Sequence, residues 1–228
     1  MQPIGIAVVG AGYWGPKVAR NVATCRATSL RWVIDGVEER AQEVAETYSG
    51  VRSGTDIEQA LADPLVQGVI LATPVATHFS LARRALEAGR HVVVEKPLAA
   101  TSKEGETLVR LARERDLRLM VDHTFCYTGA VREIRRLIRA GDLGDVLYFD
   151  SVRVNLGLFQ SDVNVLWDLA PHDLSIMEHV LPDDQRPVAV AAHAIDATST
   201  GHESVAYLTL FFERPSLAHV HVNWLSPV

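Results

Sequence analysis

The chain has 228 residues, 48% of them hydrophobic, which is enough for one large or two modest domains with a buried core. Its formal net charge of −6 argues against nucleic acid as the main partner, because neutralising phosphates requires a basic patch. Cys25 and Cys126 stand far apart in no metal or redox spacing, which fits a reduced, cytoplasmic setting. The pattern contains neither a secretion leader nor an apolar run of membrane-spanning length, so we expect no membrane partner.

Apolar runs alternate with helical patterns from the N-terminus to about residue 122. We predict strands near 4–9, 30–35, 66–72, 91–95 and 118–122, and helices near 16–24, 38–48, 76–88 and 101–115. Such alternation predicts an α/β fold with a doubly wound parallel sheet and helices on both faces.

The first predicted strand ends in a glycine-rich turn, Gly10-Ala11-Gly12-Tyr13-Trp14-Gly15, and a helical pattern follows. Gly10 permits a tight turn, Gly12 lets backbone N–H groups approach a pyrophosphate, and Gly15 lets the helix pack closely. The phosphates would face the positive end of that helix. This context predicts dinucleotide binding, and the alternative is an ordinary glycine-rich turn between a buried strand and a helix.

Asp35 closes the next strand, at the distance from the glycine turn that this kind of site requires. Its carboxylate can accept hydrogen bonds from both ribose hydroxyls of an adenosine and would repel a 2′-phosphate, which favours NAD over NADP. Arg40 stands one helical turn further on and can reach back, so NADP is disfavoured rather than excluded. The alternative for Asp35 is a solvated carboxylate that caps the helix beginning near Val37.

The pattern changes after residue 122. We predict a helix over about 130–140, a strand near 146–154, a helix near 167–180, and strand-like runs near 187–194, 204–212 and 217–225. Short turns join these last runs, so we expect a mostly antiparallel open sheet. The sequence therefore predicts two domains, with cofactor binding in residues 1–122 and substrate binding and oligomerisation in residues 123–228.

A buried strand pattern leads into Glu95-Lys96-Pro97. In open parallel sheets the ligand crevice lies outside the carboxyl ends of the strands, so Lys96 is predicted to point toward the cofactor. An amine there can hold a substrate oxygen or exchange a proton with it. The alternative is a surface lysine in a strand-to-helix loop.

A second candidate for chemistry is Trp167-Asp168-Leu169-Ala170-Pro171-His172-Asp173. In a helix that begins near Trp167, Asp168 and His172 share one face, and Pro171 is still in the first turn. A carboxylate beside an imidazole can form an acid/base unit, because histidine changes charge near neutral pH. The alternative is an acid favoured by the helix dipole beside an unrelated histidine.

Together these segments resemble the glucose-fructose oxidoreductase and inositol dehydrogenase family, usually called Gfo/Idh/MocA. The resemblance rests on the glycine turn, Thr73-Pro74-Val75-Ala76-Thr77-His78, Glu95-Lys96-Pro97 and the segment 168–172, in this order. It implies a Rossmann domain, a carboxy-terminal α/β domain with an open sheet, and hydride exchange between a nicotinamide cofactor and a sugar or polyol carbon.

The resemblance also implies residue roles. Lys96 matches the active-site lysine, Asp168 the substrate-positioning acid and His172 the general acid/base, although which of Lys96 and His172 is the proximal base stays open. The predicted cofactor-binding residues are Gly10, Gly12, Tyr13, Trp14, Gly15, Asp35, Thr73, Pro74, His78, Glu95 and Lys96.

The stretch 153–160, continuing through 164–167, resembles the loop of family members that oxidise nucleotide-linked sugars, particularly at the 3-hydroxyl of a hexose. Arg153 can pair with a phosphate or uronate, and Asn155 can bind sugar hydroxyls, so both join the predicted substrate-binding set with Lys96, Asp168 and His172. The alternative is a loop whose apolar residues only cover the sheet.

Two other sets of residues carry less weight. His219 and His221 place two imidazoles on one strand face, but no further ligand stands near them in sequence, so no metal site is predicted. Cys126 lies close to His123 without the context of a catalytic nucleophile, and a packed thiol is expected.

The second domain of the family normally continues beyond Val228, which leaves the predicted sheet short with an open edge. We expect either a fragment of a longer protein or a shortened member that completes its sheet as a homo-oligomer. The predicted function is an NAD-dependent dehydrogenase of a sugar, polyol or nucleotide-sugar hydroxyl carbon. Two alternatives stay open: an NAD-binding sensor without net turnover, and a redox-neutral enzyme that retains NAD.

Overall fold

The computed structural model describes residues 2–156, 159–160, 162–214 and 216–227. The chain divides into two compact units, with the division between Asp122 and His123. Each unit has its own sheet and its own buried core. The predicted site residues therefore fall into two groups, one in each unit.

The described part of the first unit contains a six-stranded parallel sheet in the order β3-β2-β1-β4-β5-β6. Its strands are β1 (Ile4–Val9), β2 (Thr28–Ile34), β3 (Arg52–Gly54), β4 (Gly68–Leu71), β5 (His91–Glu95) and β6 (Leu119–Asp122). Strand order reverses at β1, and ligands bind outside the carboxyl ends of the strands at such a switch point. The predicted doubly wound sheet is confirmed.

Helices cover both faces of this sheet. They are α1 (Gly15–Thr24), α2 (Glu38–Glu46), α3 (Ile57–Leu61), α4 (Val75–Glu87) and α5 (Ser102–Glu114). On one face α1 and α2 bury small side chains, Ala19 and Ala41, near Val33. On the other face α4 and α5 bury Leu86 and Leu108. The core therefore has two layers, and the sheet between them holds the turns that carry the site.

Local sequence explains where several helices begin and end. A capping box begins α5, because Thr101 Oγ1 accepts from the Glu104 N–H at 3.3 Å and Glu104 Oε2 accepts from the Thr101 N–H at 3.2 Å. Gly89 follows α4 with a φ of +75°, the left-handed conformation that suits glycine after a helix. Strand β3 and helix α3 were not predicted, because elements of three and five residues are too short to show periodicity.

The second unit contains a mixed sheet in the order β7-β10-β9-β8. Its strands are β7 (Tyr148–Val154), β8 (Pro187–Ile195), β9 (Val205–Phe212) and β10 (Leu217–Asn223). Strand β9 is antiparallel to both β8 and β10, as predicted, whereas β7 pairs in parallel with β10. The expected open, mostly antiparallel sheet is confirmed.

Helices α6 (Gly129–Ala140) and α7 (Val165–Val180) complete the second unit, after a 3₁₀ turn at Thr124–Tyr127. The prediction that Pro171 lies in the first turn of its helix was wrong, because α7 already begins at Val165. Asn164 sets that start, since its side-chain oxygen accepts from the Trp167 N–H at 3.1 Å. Pro171 therefore lies inside the helix and omits one intrahelical hydrogen bond. Within the described ranges, no helix combines the length and apolarity needed to cross a bilayer.

Candidate functional site

The glycine turn between β1 and α1 has the backbone geometry that dinucleotide binding requires. Gly10 has a φ of +99°, and a Cβ there would collide with the carbonyl oxygen of Ala72. A Cβ on Gly15 would collide with the carbonyl oxygen of Gly10. Gly12 instead is exposed, with no atom within 4 Å of the position of its missing Cβ. Gly10 and Gly15 are therefore needed to form the turn, and Gly12 leaves its backbone accessible to a ligand.

Asp35 follows β2 and is bonded to two parts of the backbone. Its Oδ2 accepts from the Ala11 N–H at 2.7 Å, and its Oδ1 accepts from the Val37 N–H at 2.9 Å. Each carboxylate oxygen has two lone pairs, so both can still accept from a ligand hydroxyl. Asp35 thus braces the glycine turn and the start of α2 while it keeps the acceptors that a ribose requires.

A cavity of about 390 Å³ lies beside this turn. Gly10, Gly12, Asp35, Arg40 and Thr73 are among the residues that line it. Open backbone at a helix start suits phosphates, and a half-buried carboxylate suits ribose hydroxyls, so the cavity fits the adenosine side of a dinucleotide.

Tyr13 and Trp14 are exposed on the same turn, with 73% and 51% of their surfaces accessible. Their rings meet edge to face with centroids 5.3 Å apart. The Lys17 ammonium lies 3.2 Å from the centroid of Tyr13 and 4.3 Å from that of Trp14, which are cation–π distances. The outer side of the turn therefore presents two aromatic rings and a positive charge.

His78 connects two of the predicted turns. It is 1% exposed, with Nδ1 2.8 Å from the Pro97 carbonyl oxygen and Nε2 2.8 Å from the Thr73 carbonyl oxygen. Pro74, which follows Thr73 in the chain, is the N-cap residue of α4. Because both ring nitrogens contact backbone oxygens, His78 braces these two turns, and its predicted place in the cofactor-binding set stays a prediction.

Glu95 ends β5, and Lys96 and Pro97 follow it, joined by a cis peptide bond. In the sheet register Glu95 is the partner of Asp122, the last residue of β6. Burial raises the pKa of the Glu95 carboxyl, the nearby Asp122 charge raises it further, and Lys96 lowers it. The motif did not point to Asp122, although the strand order would have placed it beside Glu95.

In the second unit, α7 presents Asp168 and His172, which lie one turn apart. Asp168 Oδ2 accepts a hydrogen bond of 3.0 Å from the indole N–H of Trp224, which is fully buried. The His172 ring meets the Phe125 ring edge-on, with centroids 4.9 Å apart. Partners from other elements therefore hold both side chains. Trp224 carries no local signal in the sequence, because it stands 56 residues from Asp168.

Arg153 on β7 is paired with Asp173, the residue after His172. Arg153 Nε lies 2.6 Å from Asp173 Oδ2, and Nη2 lies 3.2 Å from Oδ1. Asp173 is 4% exposed, and the Ser151 hydroxyl also donates to its Oδ1. The guanidinium of Arg153 lies over Phe125, 4.4 Å from the ring centroid. The structure thus gives Arg153 an internal partner, and its contact with substrate stays a prediction.

The stretch predicted to bind a nucleotide sugar starts at the end of β7 and leaves that strand at Asn155. The Asn155 N–H donates to the Asn223 carbonyl oxygen at 3.0 Å, which places the residue beside the end of β10. Gly157 and Leu158 of this loop lie outside the described residues. Binding of sugar hydroxyls by Asn155 also stays a prediction.

His219 and His221 lie on the face of the second sheet that points away from α7, since they alternate with the buried Val220 and Val222. The Tyr207 ring stacks on His221 at 4.3 Å and lies 6.0 Å from His219. Across the residues that the structure describes, no three His, Cys, Asp or Glu side chains are grouped to hold a metal ion. The thiol of Cys126 donates to the Ser175 carbonyl oxygen at 3.4 Å.

Two family models match the chain and together span both units. "Oxidoreductase family, NAD-binding Rossmann fold" matches residues 4–123, and "GFO/IDH/MocA C-terminal domain" matches residues 131–228. The chain therefore belongs to the GFO/IDH/MocA oxidoreductase family, as its motifs predicted.

Known members of this family resemble the chain over much of its length. The UDP-N-acetylglucosamine 3-dehydrogenase of Acidithiobacillus ferrooxidans is 32% identical over 207 residues, 89% of this chain and 62% of that protein. The NADP⁺-dependent scyllo-inositol 2-dehydrogenase of Bacillus subtilis is 30% identical over 183 residues, 75% and 49% of the two chains. The chain thus spans 62% and 49% of the lengths of these relatives.

A solved structure shows the same fold. GenD2 from gentamicin A biosynthesis, crystallised in complex with NAD, matches with a TM-score of 0.93 at 27% sequence identity. The match covers 100% of this chain and 68% of GenD2.

Proposed function

We propose that the chain is an NAD-dependent dehydrogenase that acts on a hydroxyl-bearing carbon of a sugar, polyol or nucleotide sugar. The observation that carries this proposal is the ligand-accessible glycine turn braced by Asp35, in a chain that also presents the Asp168/His172 pair on one helix. The turn supplies a place for the cofactor, and the pair supplies acid/base chemistry.

The residues of the first unit fit NAD. The backbone at Gly12 and the start of α1 would hold its pyrophosphate, and Asp35 its ribose hydroxyls. When bound, NAD supplies a nicotinamide ring that accepts or donates a hydride. Thr73 and Pro74 line the same cavity as Asp35 and belong to the proposed cofactor-binding set.

The remaining roles belong to three side chains. In the oxidative direction His172 accepts the hydroxyl proton, while Lys96 and Asp168 hold the oxygen as its bond to carbon gains double-bond character. The hydrogen bond from the Trp224 indole to Asp168 Oδ2 supports this role, because it fixes the carboxylate on α7.

Replacement of the two candidate bases tests the activity. We expect His172→Ala and Lys96→Ala each to lower kcat/KM by ~10²-fold or more, because each removes a proton-transfer or oxygen-holding group. His193→Ala on the exposed strand β8 and Lys103→Ala at the exposed start of α5 are matched controls and keep native turnover. Native turnover in both Lys96→Ala and His172→Ala would contradict the proposal.

We propose NAD rather than NADP as the preferred cofactor, on the basis of the Asp35 carboxylate. Arg40 lines the same cavity, so the preference rests on the balance between one negative and one positive side chain. We expect Asp35→Ala to lower the ratio of NAD affinity to NADP affinity, as measured by fluorescence titration. A native preference for NADP would overturn the assignment.

The proposed substrate subclass is a nucleotide sugar oxidised at its 3-position. It is supported by the loop that follows Arg153 and by the similarity to a UDP-N-acetylglucosamine 3-dehydrogenase. A cofactor-reduction screen over nucleotide sugars, free sugars and inositols tests it. Reduction with an inositol alone would move the chain to the polyol branch.

We propose that the open sheet face of the second unit mediates homo-oligomerisation. Large apolar side chains lie exposed there, and a patch of this kind marks an interaction surface. They are Tyr148, Val152, Ile195, Tyr207, Phe211 and Leu217. We expect Tyr207→Glu with Phe211→Glu to convert an oligomer to a monomer in light scattering. A monomeric native chain would contradict this.

A further inference from the structure

A row of side-chain contacts connects Asp173 to His172 through Arg153 and Phe125. The two residues are also adjacent in the chain. Its carboxylate is 4% exposed and accepts from Arg153 at two positions and from the Ser151 hydroxyl. The Arg153 guanidinium lies on the Phe125 ring, and the same ring meets the His172 imidazole at an interplanar angle of 73°.

The row joins three separate elements of the second unit. Ser151 and Arg153 belong to β7, Phe125 to the 3₁₀ turn, and His172 and Asp173 to α7. A two-point pair between a guanidinium and a carboxylate fixes the guanidinium plane, which a single hydrogen bond does not do. A fixed guanidinium in turn limits how far the Phe125 ring can tilt, and that ring forms one wall beside the imidazole.

Stability alone gives little reason for this pair. Removing two charges from water costs about as much as their attraction returns, so buried ion pairs contribute little net stability compared with apolar residues of the same shape. Exposed pairs in the same unit, such as Arg139 with Asp183, show the ordinary alternative at the surface. The Asp173–Arg153 pair differs from such surface pairs because Arg153 lies against Phe125, the ring that contacts His172.

We propose that Asp173 is a positioning residue for His172. By holding Arg153 flat against Phe125, it fixes the orientation of the imidazole, and by neutralising Arg153 it preserves the ability of that imidazole to take up a proton. This inference rests on the proposed function, in which His172 is the acid/base group. Asp173 does not touch the reacting atoms.

The charge on Arg153 provides a readout that a purely structural role would not change. Charged or titratable side chains on the elements packed around α7 include Asp168, Asp173 and His179 on the helix itself, Asp150 and Arg153 on β7, Arg135 on α6, and His123 at the start of the 3₁₀ turn. In Asp173→Asn the guanidinium charge loses its counter-charge and disfavours a second positive charge on the imidazole. The titration midpoint of His172 should therefore fall, by ~0.5 pH unit or more.

The experiment is an NMR titration of the full chain with isotope-labelled histidine, with His172 assigned by the loss of its signals in His172→Gln. We expect Asp173→Asn to lower the midpoint and to broaden the His172 signals through motion of the ring. Arg139→Gln, which breaks an exposed arginine–aspartate pair, is the matched control and leaves both unchanged. If Asp173→Asn does not fold, Ser151→Ala, which removes one hydrogen bond to Asp173, is expected to broaden the same signals.

A folded Asp173→Asn with the native midpoint and native His172 line widths overturns the proposal. Once a substrate is known, Asp173→Asn should lower kcat more than it raises KM, because it disturbs an acid/base group rather than a binding contact. The NMR result does not need a substrate. Altered His172 signals in a chain that reduces no cofactor would therefore count against the proposed dehydrogenase activity and leave the positioning role intact.

Discussion

Gly12 and Gly15 belong to one turn but differ in what a methyl group would meet. At Gly15 it would collide with backbone, whereas at Gly12 it would enter open space. Of these two positions, Gly12 is the one where a methyl group fits without moving the backbone and where a ligand has access. These two positions therefore separate the contribution of the turn to folding from its contribution to binding.

Substitution at these positions gives the first prediction. We expect Gly12→Ala to melt within ~2 °C of the native chain but to bind NAD at least ~10-fold more weakly, because the methyl group occupies the approach of the pyrophosphate. Gly15→Ala should lose ~2 kcal/mol or more of unfolding free energy through backbone displacement. Thermal melts and NAD titrations measure both. Native NAD affinity in Gly12→Ala would show that the turn does not hold the pyrophosphate.

His78 provides a second prediction at this scale. His78→Ala leaves a cavity and two backbone carbonyls without their ring partner, so it should lower the unfolding free energy by ~2–4 kcal/mol. Because the ring joins the Thr73 and Pro97 turns, NAD affinity should fall as well. His91→Ala, at an exposed histidine of the same unit, should cost ~1 kcal/mol or less in a denaturant titration. Equal losses in the two variants would rule out the bridging role.

Sequence patterns identified candidate residues but not the partners that hold them. Lys96, Asp168 and His172 stand in short motifs, so local spacing was enough to select them. Trp224 is distant in the chain and joins Asp168 only through the tertiary fold. Asp173 belongs to the same sequence motif as His172. The sequence alone does not show that Arg153 covers it, because that contact depends on how β7 packs on α7.

At the scale of elements, the neighbouring ends of β5 and β6 bring two carboxyl groups together. The folded-state pKa of Glu95 is raised by burial and by Asp122. The protonated carboxyl therefore contributes stability that is fully present below the unfolded pKa and is lost as pH rises through the folded pKa.

Glu95→Gln tests this linkage. Glutamine stays uncharged and keeps a similar shape at every pH. The melting temperature of Glu95→Gln minus that of the native chain should therefore become more positive as pH rises from about 4 to about 8. Glu106→Gln on the exposed side of α5 is the matched control, with a difference from native that stays flat. If the difference for Glu95→Gln also stays flat with pH, ionisation of Glu95 beside Asp122 does not lower the stability of the folded chain.

Long elements with a clear period could be predicted from the sequence, whereas short elements and pairings between distant strands could not. Long periodic segments such as α5 were predicted, whereas β3 and α3 were too short to show a period. The parallel pairing of β7 with β10 has no local signature, because it depends on the connection that contains α7. The interior position of Pro171 was missed because Asn164, rather than a later residue, caps the helix.

At the scale of the whole molecule, the family fixes the fold but not the substrate. Named relatives act on a nucleotide sugar in one case and on an inositol in another. The chain spans 62% and 49% of those two proteins, so its activity has to be measured on this chain and on any longer natural form.

The two alternative functions differ from a dehydrogenase in what happens to the cofactor. A sensor would bind NAD and reduce none of it, whereas a redox-neutral enzyme would form product and return NAD to its starting state. Both keep the glycine turn, so binding measurements alone cannot separate them. Net cofactor reduction can.

The most direct measurement is therefore NADH formation from NAD across a panel of nucleotide sugars, free sugars and inositols, with His172→Ala beside the native chain. We predict substrate-dependent NADH formation by the native chain, at a rate that His172→Ala lowers by ~10²-fold or more. Tight NAD binding without NADH formation from any member of the panel would contradict it.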